Sequence, residues 1–188
     1  EKYNKPGNVF CGVTHRLDRP TSGAVLFAKT SKALSRMNTL FREGKVAKTY
    51  WAIVQECPPK EEDWLTHYLI KNEKTNKSTA YNTEKPRAKK AILHYRLIAA
   101  SRNYYLLEVD LETGRHHQIR VQLAKMGCPV KGDLKYGAKR SNPDGSISLH
   151  ARSLSFTHPV SKETISVTAP VPEDTLWKSF EAVNSITF

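Results

Sequence analysis

Two segments of the chain carry apolar residues at the spacing of a helix face. The first follows Thr30, a favourable N-cap residue, and runs to Gly44, a residue type that often ends a helix. Its apolar stripe consists of Ala33, Leu34, Met37, Leu40 and Phe41. We predict a helix that begins at Thr30 or Ser31, stops before Gly44 and packs its apolar side on a core.

A second helix is predicted from His116 to Met126. Ile119 and Leu123 are four residues apart in this segment, and Gly127 follows it directly. Residues four apart lie on the same side of a helix. This helix is therefore predicted to place Ile119 and Leu123 on one face and to end at Gly127.

The other apolar segments have the composition or alternation of β-strands. Residues 48–54 are aromatic and β-branched, and in residues 104–112 aliphatic residues alternate with acidic ones from Leu107 onward. Residues 23–29 form a compact apolar run that predicts a buried strand. Further strands are predicted at 91–99, 150–156 and 163–168. Many strands with few helices indicate an α+β fold, a mixed and largely antiparallel sheet flanked by helices.

The length and composition fit one domain. Of the 188 residues, 39% are hydrophobic, which is enough to bury a core. We expect a single domain over residues 1–188. Because the chain begins with Glu1 and not with methionine, we also expect it to be a fragment of a longer product.

The charge of the chain is strongly positive and unevenly distributed. The net charge is +12, and residues 1–140 hold 27 basic and 13 acidic residues against 3 and 5 in residues 141–188. An excess of this kind favours a polyanionic partner such as RNA or DNA. Residues 71–90 alone contain seven basic and two acidic residues. Two interpretations of that segment stay open: a solvated loop or hairpin arm, and an arm that grips RNA.

The cysteines and the hydropathy pattern indicate a cytoplasmic protein. Cys11, Cys57 and Cys128 share no C-x-x-C spacing and are odd in number, so free thiols in a reducing compartment are expected. The chain has no run of about 18 apolar residues, and no membrane span is predicted.

The densest chemistry lies in residues 15–23, HRLDRPTSG. Asp18 stands between Arg16 and Arg19, and nearby opposite charges favour the ionised form of an acid. An ionised, firmly held carboxylate suits a nucleophile or a base. For this motif alone, a structural salt bridge in a loop is the favoured explanation, and the segments that follow reverse that preference.

Several motifs together resemble the RluA-type pseudouridine synthase family. HRLDRPTSG is similar to the catalytic-loop signature HRLDxxTSG of that family, and further similar blocks follow in the same order. These blocks are Lys48-Thr49-Tyr50 with Ala52, Thr113 to Arg120 (TGRHHQIR), Gly127 to Asp133 (GCPVKGD), and Leu149-His150-Ala151. The resemblance extends from Gly7 to Pro172.

The resemblance implies the pseudouridine synthase fold, with an extended mixed sheet and a central RNA-binding cleft. It implies isomerisation of uridine in RNA without metal or other cofactor. Asp18 would be the catalytic aspartate, Arg120 the arginine that pairs with it bidentately, and Tyr50 the active-site tyrosine. Arg16 would help to fill the gap left by the extruded base. Arg115, His116, Ile119 and Lys131 would contact the substrate.

Other roles for these residues stay open. Arg120 could instead contact phosphate, Tyr50 could be a core aromatic and Arg16 could form an ordinary loop ion pair. The adjacent His116 and His117 do not share a helix face, so no metal site is expected. A non-catalytic RNA-binding protein of the same fold, and a nuclease or glycosidase that uses Asp18, are the alternative functions.

The sequence departs from the family pattern in two places. Gln122 replaces a histidine found in many relatives, a change that we expect to be tolerated. Asn4-Lys5-Pro6-Gly7 lies too close to His15 to be the family's usual upstream strand, so that strand is expected to be missing, as is an S4-type module. Ribosomal RNA is the first candidate substrate and transfer RNA the second, and a monomer is expected.

Overall fold

The computed structural model describes residues 9–184. The described chain forms ten strands, three α-helices and a short 3-10 helix at Leu134–Tyr136. The strands are β1 (Gly12–Val13), β2 (Ser22–Gly23), β3 (Phe27–Ala28), β4 (Val46–Val54), β5 (Glu62–Asn72), β6 (Lys77–Tyr81), β7 (Lys89–Ala100), β8 (Tyr105–Leu111), β9 (Leu149–Thr157) and β10 (Thr164–Thr168). The helices are α1 (Ser31–Arg42), α2 (Gln118–Lys125) and α3 (Thr175–Asn184).

A large sheet organises the fold. Its strand order is β10-β9-β4-β8-β7-β5-β6, and every neighbouring pair along this path is antiparallel. Strand β2 adds to β9 in the parallel direction, while β1 and β3 form a separate antiparallel pair. The predicted mixed, largely antiparallel sheet with flanking helices is confirmed.

Helices α2 and α3 contribute to two different cores of the sheet. On the α2 side, Ile119 and Leu123 pack against aliphatic residues of β4, β7 and β8. On the α3 side, Trp177 and Phe180 pack against Trp51, Ile53 and Leu106. Because side chains alternate across a strand, neighbouring residues of β4 reach different cores. The central strands are therefore buried on both faces, and the polar site must lie at one end of the sheet.

Helix α1 forms as its sequence predicts. The Thr30 side chain accepts a hydrogen bond from the backbone N–H of Ala33, which caps the first turn. Gly44 follows the helix with a φ of +69°, a left-handed conformation that glycine adopts easily. Met37 is buried with Val46 and residues of β9. This packing fixes α1 beside the start of β4.

The prediction of one buried strand over residues 23–29 is wrong. The segment divides between two partners, since Gly23 pairs with β9 and Phe27 pairs with β1. Val25 and Phe27 are 37% and 50% exposed. An apolar run does not show which neighbour each of its residues will pair with, and here the chain changes direction between the two short strands.

Strand β5 and helix α3 were not predicted. The exposed Glu62, Trp64 and Thr66 of β5 alternate with half-buried residues, but charged and polar side chains on both faces weaken the alternation. Helix α3 is only ten residues long and gains its stability from packing on the sheet. Both elements depend on tertiary contacts more than on local sequence.

The remaining predictions concern the start of the chain, the number of domains, membrane spans and the basic segment 71–90. The Asn4–Gly7 segment lies outside the described residues, and the single domain over residues 1–188 stays a prediction. No helix in residues 9–184 combines the length and apolar character needed to span a membrane. The basic segment 71–90 contains the end of β5, the turn to β6, all of β6 and the irregular stretch before β7, and both interpretations of its role stay open.

Candidate active site

The loop that carries Asp18 is anchored to the rest of the protein just after the aspartate. The carbonyl of Pro20 accepts a hydrogen bond from the N–H of Ile147, and the N–H of Ala24 donates to the carbonyl of Ala151. A tight turn brings the N–H of Thr21 to 2.8 Å from the carbonyl of Asp18. The carboxylate of Asp18 is 27% exposed at the surface of this turn.

Gly23 permits the close approach of this loop to β9. Its φ is +118°, and a Cβ atom there would lie 2.3 Å from the carbonyl oxygen of Ala151. A side chain at this position would push the loop away from the sheet. Since Ala151 also pairs with Tyr50 across β9 and β4, the glycine helps to bring the Asp18 loop and Tyr50 to the same end of the sheet.

Arg120 connects two aspartates. Its Nη1 donates to Oδ2 of Asp18 at 3.0 Å, while Nε and Nη2 donate to the two carboxylate oxygens of Asp133 at 2.7 and 2.9 Å. Asp133 is 1% exposed and Arg120 is 4% exposed. Burial acts to lower the pKa of Arg120, but the hydrogen bonds to Asp133 and Asp18 outweigh burial and raise it. A permanent cation is thus fixed beside Asp18.

Two details of the predicted pairing are wrong. The bidentate partner of Arg120 is Asp133, because the buried carboxylate takes the parallel pair of nitrogens and leaves one nitrogen for Asp18. The flanking Arg16 and Arg19 are exposed, and neither forms an ion pair with Asp18 among the described residues. Neighbours in sequence on a tight turn point their side chains in different directions, so proximity in the chain did not produce contact.

The two oxygens of Asp18 differ in their surroundings. Oδ2 contacts Arg120, and Nε2 of His117 lies 3.7 Å from the same oxygen. Within the part of the chain that the structure describes, no donor forms a hydrogen bond with Oδ1. Asp18 is therefore held through Oδ2, and its carboxylate remains partly exposed.

Tyr50 stands beside an irregularity of the sheet. The register between β4 and β9 shifts between Thr49 and Tyr50, where Arg152 of β9 has no partner on β4. Such bulges often reorient a side chain next to an active site. Burial and then the negative charge of Asp18 raise the pKa of Tyr50 to about 12. The hydroxyl consequently stays protonated at neutral pH.

A wide groove with a volume of about 1340 Å³ runs over these residues. Asp18, Tyr50 and Arg120 all line it, as the sequence predicted for a shared site. Eight lysines and arginines line the groove: Arg16, Arg19, Arg42, Lys48, Lys71, Arg115, Arg120 and Lys135. Its acidic lining residues are Asp18 and Glu112. The excess of cations suits a polyanionic ligand.

Most of the predicted substrate contacts also lie along the groove. Arg16, Arg115, His116 and Ile119 line it, although Ile119 is 4% exposed and belongs mainly to the core. Lys131 does not. Its Nζ donates to Oδ1 of Asn142 at 2.6 Å, and it lines a separate smaller pocket with Tyr104, Lys139 and Arg140. Of the five predicted substrate contacts, Lys131 therefore lies on a different surface of the protein from the other four.

Asp133 and His117 were not identified as site residues from the sequence. Asp133 closes the GCPVKGD block, and His117 belongs to the TGRHHQIR block. A buried carboxylate opposite a buried arginine could have been suspected from these blocks, but the pairing depends on the turn at Gly132, whose φ is +88°. Residues 9–184 contain no group of three or more His, Cys, Asp or Glu side chains placed to hold a metal ion.

Comparisons with known proteins agree with this geometry. Residues 1–125 match the family described as RNA pseudouridylate synthase. An uncharacterized RNA pseudouridine synthase of Zymomonas mobilis is 35% identical over 162 residues, which are 86% of this chain and 73% of the relative. Ribosomal large subunit pseudouridine synthase D of Vibrio cholerae is 34% identical over 176 residues, covering 87% of this chain and 53% of the relative.

Solved structures show the same fold. Human RNA Pseudouridylate Synthase Domain Containing 4 superposes with a TM-score of 0.75 at 22% identity, over 93% of this chain and 76% of the human chain. Human RNA Pseudouridylate Synthase Domain Containing 1 superposes with a TM-score of 0.74 at 24% identity, over 95% of this chain and 75% of the human chain. The chain belongs to the RNA pseudouridylate synthase family, and the named relatives support its RluA-type branch. It spans about half the length of several curated relatives.

Proposed function

We propose that this protein isomerises uridine residues of RNA to pseudouridine, with Asp18 as the acting carboxylate. The observation that carries this proposal is the arrangement of Asp18, which is bound through Oδ2 by Arg120, is partly exposed and lines a basic groove together with Tyr50. Family membership supports the reaction class.

The reaction breaks the bond between N1 of uracil and C1′ of ribose and forms a bond between C5 and C1′. C5 loses a proton and N1 gains one, so atoms and charge balance without an oxidant or reductant. Asp18 acts through Oδ1, either as a nucleophile toward the sugar or the ring or as the base that removes a proton from C2′. Arg120 places a positive charge beside the carboxylate and fixes its orientation.

Tyr50 and the groove position the nucleotide. The Tyr50 ring stacks on the target base, and its protonated hydroxyl can donate a hydrogen bond to the base or ribose. The target uridine must leave its stack, which costs a few kcal/mol. Arg16, exposed at the groove, fills the space that the base leaves. The remaining cations bind backbone phosphates.

The substrate proposed first is ribosomal RNA, with transfer RNA second. Relatives from Vibrio cholerae and Haemophilus ducreyi, 34% identical to this chain, are named as synthases of the large ribosomal subunit. The groove suits a structured polyanion because most of its charged lining residues are basic. A non-catalytic RNA-binding protein of the same fold is the alternative function. It would bind RNA with or without the Asp18 carboxylate.

Mapping of pseudouridine in cellular RNA tests this proposal. Ribosomal and transfer RNA from a strain that lacks the gene are compared with RNA from the same strain complemented by wild type or by Asp18→Ala. We expect one or more pseudouridines to disappear on deletion and to return only with wild type. Unchanged pseudouridine in both RNA classes, or restoration by Asp18→Ala, would contradict the proposal.

A further inference from the structure

A chain of hydrogen bonds runs behind the catalytic carboxylate and connects two adjacent histidines. The hydroxyl oxygen of Tyr136 lies 2.8 Å from the backbone nitrogen of Ser78 and 2.8 Å from Nδ1 of His117. The hydroxyl of Ser78 lies 2.8 Å from the carbonyl oxygen of His116 and 2.9 Å from Nδ1 of His116. The two imidazole rings stack with their centroids 3.8 Å apart.

The protons in this chain can be assigned from the chemistry of each partner. The Ser78 N–H can only donate, so the Tyr136 oxygen accepts that bond. The Tyr136 proton then has Nδ1 of His117 as its acceptor. Burial raises the pKa of Tyr136, which keeps this proton on the oxygen. Nδ1 of His117 is consequently unprotonated, and the neutral ring carries its proton on Nε2.

The neighbouring histidine takes the opposite arrangement. A carbonyl oxygen can only accept, so the Ser78 hydroxyl donates its one proton to the carbonyl of His116. The Ser78 oxygen therefore accepts from Nδ1 of His116. Both contacts are satisfied together only when the proton of His116 is on Nδ1.

The surroundings of His117 favour a neutral ring. Its residue is 8% exposed, and the side chain faces Arg120, His116 and Lys135 as well as Asp18. Burial lowers the pKa of His117 to about 4, although the negative charge of Asp18 acts to raise it. The backbone of His117 has a φ of +53°, and such strain in a non-glycine residue often marks a functional position.

We propose that Ser78 and Tyr136 hold His116 and His117 in opposite neutral tautomers, so that His117 is a positioning residue whose Nε2–H points at Oδ2 of Asp18. The separation of 3.7 Å is longer than a hydrogen bond, and such distances commonly shorten when substrate binds. Arg120 and His117 then hold Oδ2 together, which directs Oδ1 to the nucleotide. The effect of His117 on turnover rests on the proposed function, whereas the tautomers do not.

Long-range ¹H–¹⁵N correlation spectra of the imidazole rings at pH 7 test the tautomers without RNA. Signals are assigned by their loss in His117→Asn and His116→Asn. We expect His117 to be protonated on Nε2 alone and His116 on Nδ1 alone. In Tyr136→Phe, His117 should lose its single tautomer, whereas Tyr95→Phe, which removes the hydroxyl that contacts the carbonyl of Lys60, should change neither ring. A wild-type His117 that is protonated on Nδ1, or on both nitrogens, would overturn the proposal.

Turnover measurements test the positioning role with two matched variants. Asn tolerates the left-handed backbone at position 117 and can still accept from Tyr136, but it is too short to reach Asp18. Gln can extend a donor toward Asp18. We expect His117→Asn to lower kcat about tenfold with RNA affinity unchanged, and His117→Gln to recover part of that loss.

The outcomes separate this inference from the proposed function. An active wild type whose kcat is unchanged in His117→Asn would overturn the positioning role, as would a His117→Gln variant no faster than His117→Asn. A wild type with the expected tautomers but without any isomerisation of RNA would instead contradict the proposed function.

Discussion

Arg120 reaches Asp18 only because Asp133 holds its other side. Asp133 accepts hydrogen bonds of 2.7 and 2.9 Å from Nε and Nη2, which leaves Nη1 to donate to Asp18 at 3.0 Å. The buried pair fixes the plane of the guanidinium, and a fixed plane fixes the position of the carboxylate. The geometry of Asp18 is therefore determined by a residue that does not line the groove.

Replacing Asp133 should damage both stability and turnover. In Asp133→Asn the buried Arg120 loses its charged partner, and breaking a buried ion pair costs about 3–5 kcal/mol. We expect a loss of that order in the free energy of unfolding, measured by urea denaturation, and a fall in kcat of roughly 100-fold. Asp144→Asn, at an exposed loop position, is the matched control and should change neither quantity.

Variants of Arg120 should show whether turnover requires only a positive charge at this position or also the planar guanidinium group. Arg120→Met removes the cation, and we expect it to abolish turnover while RNA is still retained in a filter-binding assay. Arg120→Lys keeps a charge but loses the planar fork that serves two aspartates at once, so it should restore little of the activity. Substantial turnover by Arg120→Met would place Arg120 outside the reaction.

Tyr50 should act as a neutral group across the working range of pH. Because its pKa is raised to about 12, the hydroxyl remains protonated at pH 7 to 10. We expect no loss of kcat in that interval that disappears in Tyr50→Phe. A descending limb of the pH–rate profile near pH 9 that is present in wild type and absent from Tyr50→Phe would contradict the buried environment of this hydroxyl.

His117 should make the folded protein less stable in acid. Its folded pKa of about 4 lies below the value of about 6.5 in the unfolded chain, so the unfolded chain binds the additional proton as the pH falls. Stability is lost progressively from about pH 6.5 toward pH 4, and the contribution between pH 7 and 5 is about 2 kcal/mol.

Urea denaturation at pH 7 and pH 5 measures this contribution. The loss of stability on acidification should be smaller in His117→Asn than in wild type. An equal loss in wild type and His117→Asn would mean that folding does not lower the pKa of His117.

Local patterns in the sequence predicted the elements that depend on local interactions. Helix α1, with its Thr30 cap and its apolar stripe, and the alternating strand β8 lie close to where the pattern placed them. Strand β5 and helix α3 were not predicted from the sequence, because their stability comes from distant partners such as β7 and Trp51. The division of residues 23–29 between two strands likewise depends on Ala151, which is far away in sequence.

The candidate site was likewise predicted in part, where single motifs indicate its residues, and missed where distant contacts decide the geometry. The HRLD motif indicated Asp18, and the later blocks indicated Tyr50 and Arg120, which the structure brings to one groove. Arg120 contacts Asp18, but its bidentate partner is Asp133 and not Asp18, because Asp133 is the more deeply buried carboxylate and the turn at Gly132 brings it to the guanidinium. Lys131 was assigned to the substrate although it faces another pocket, since sequence spacing does not show on which side of a turn a side chain lies.

The Asp18 carboxylate is proposed to carry out the isomerisation of uridine in RNA. Release of tritium from C5 of labelled uridine in RNA measures this directly, with wild type, Asp18→Ala and Asp18→Asn at equal RNA occupancy. We predict release by wild type and none above background by either variant. Equal release by wild type and the variants, or no release by a folded, RNA-binding wild type with any RNA class, would contradict the account.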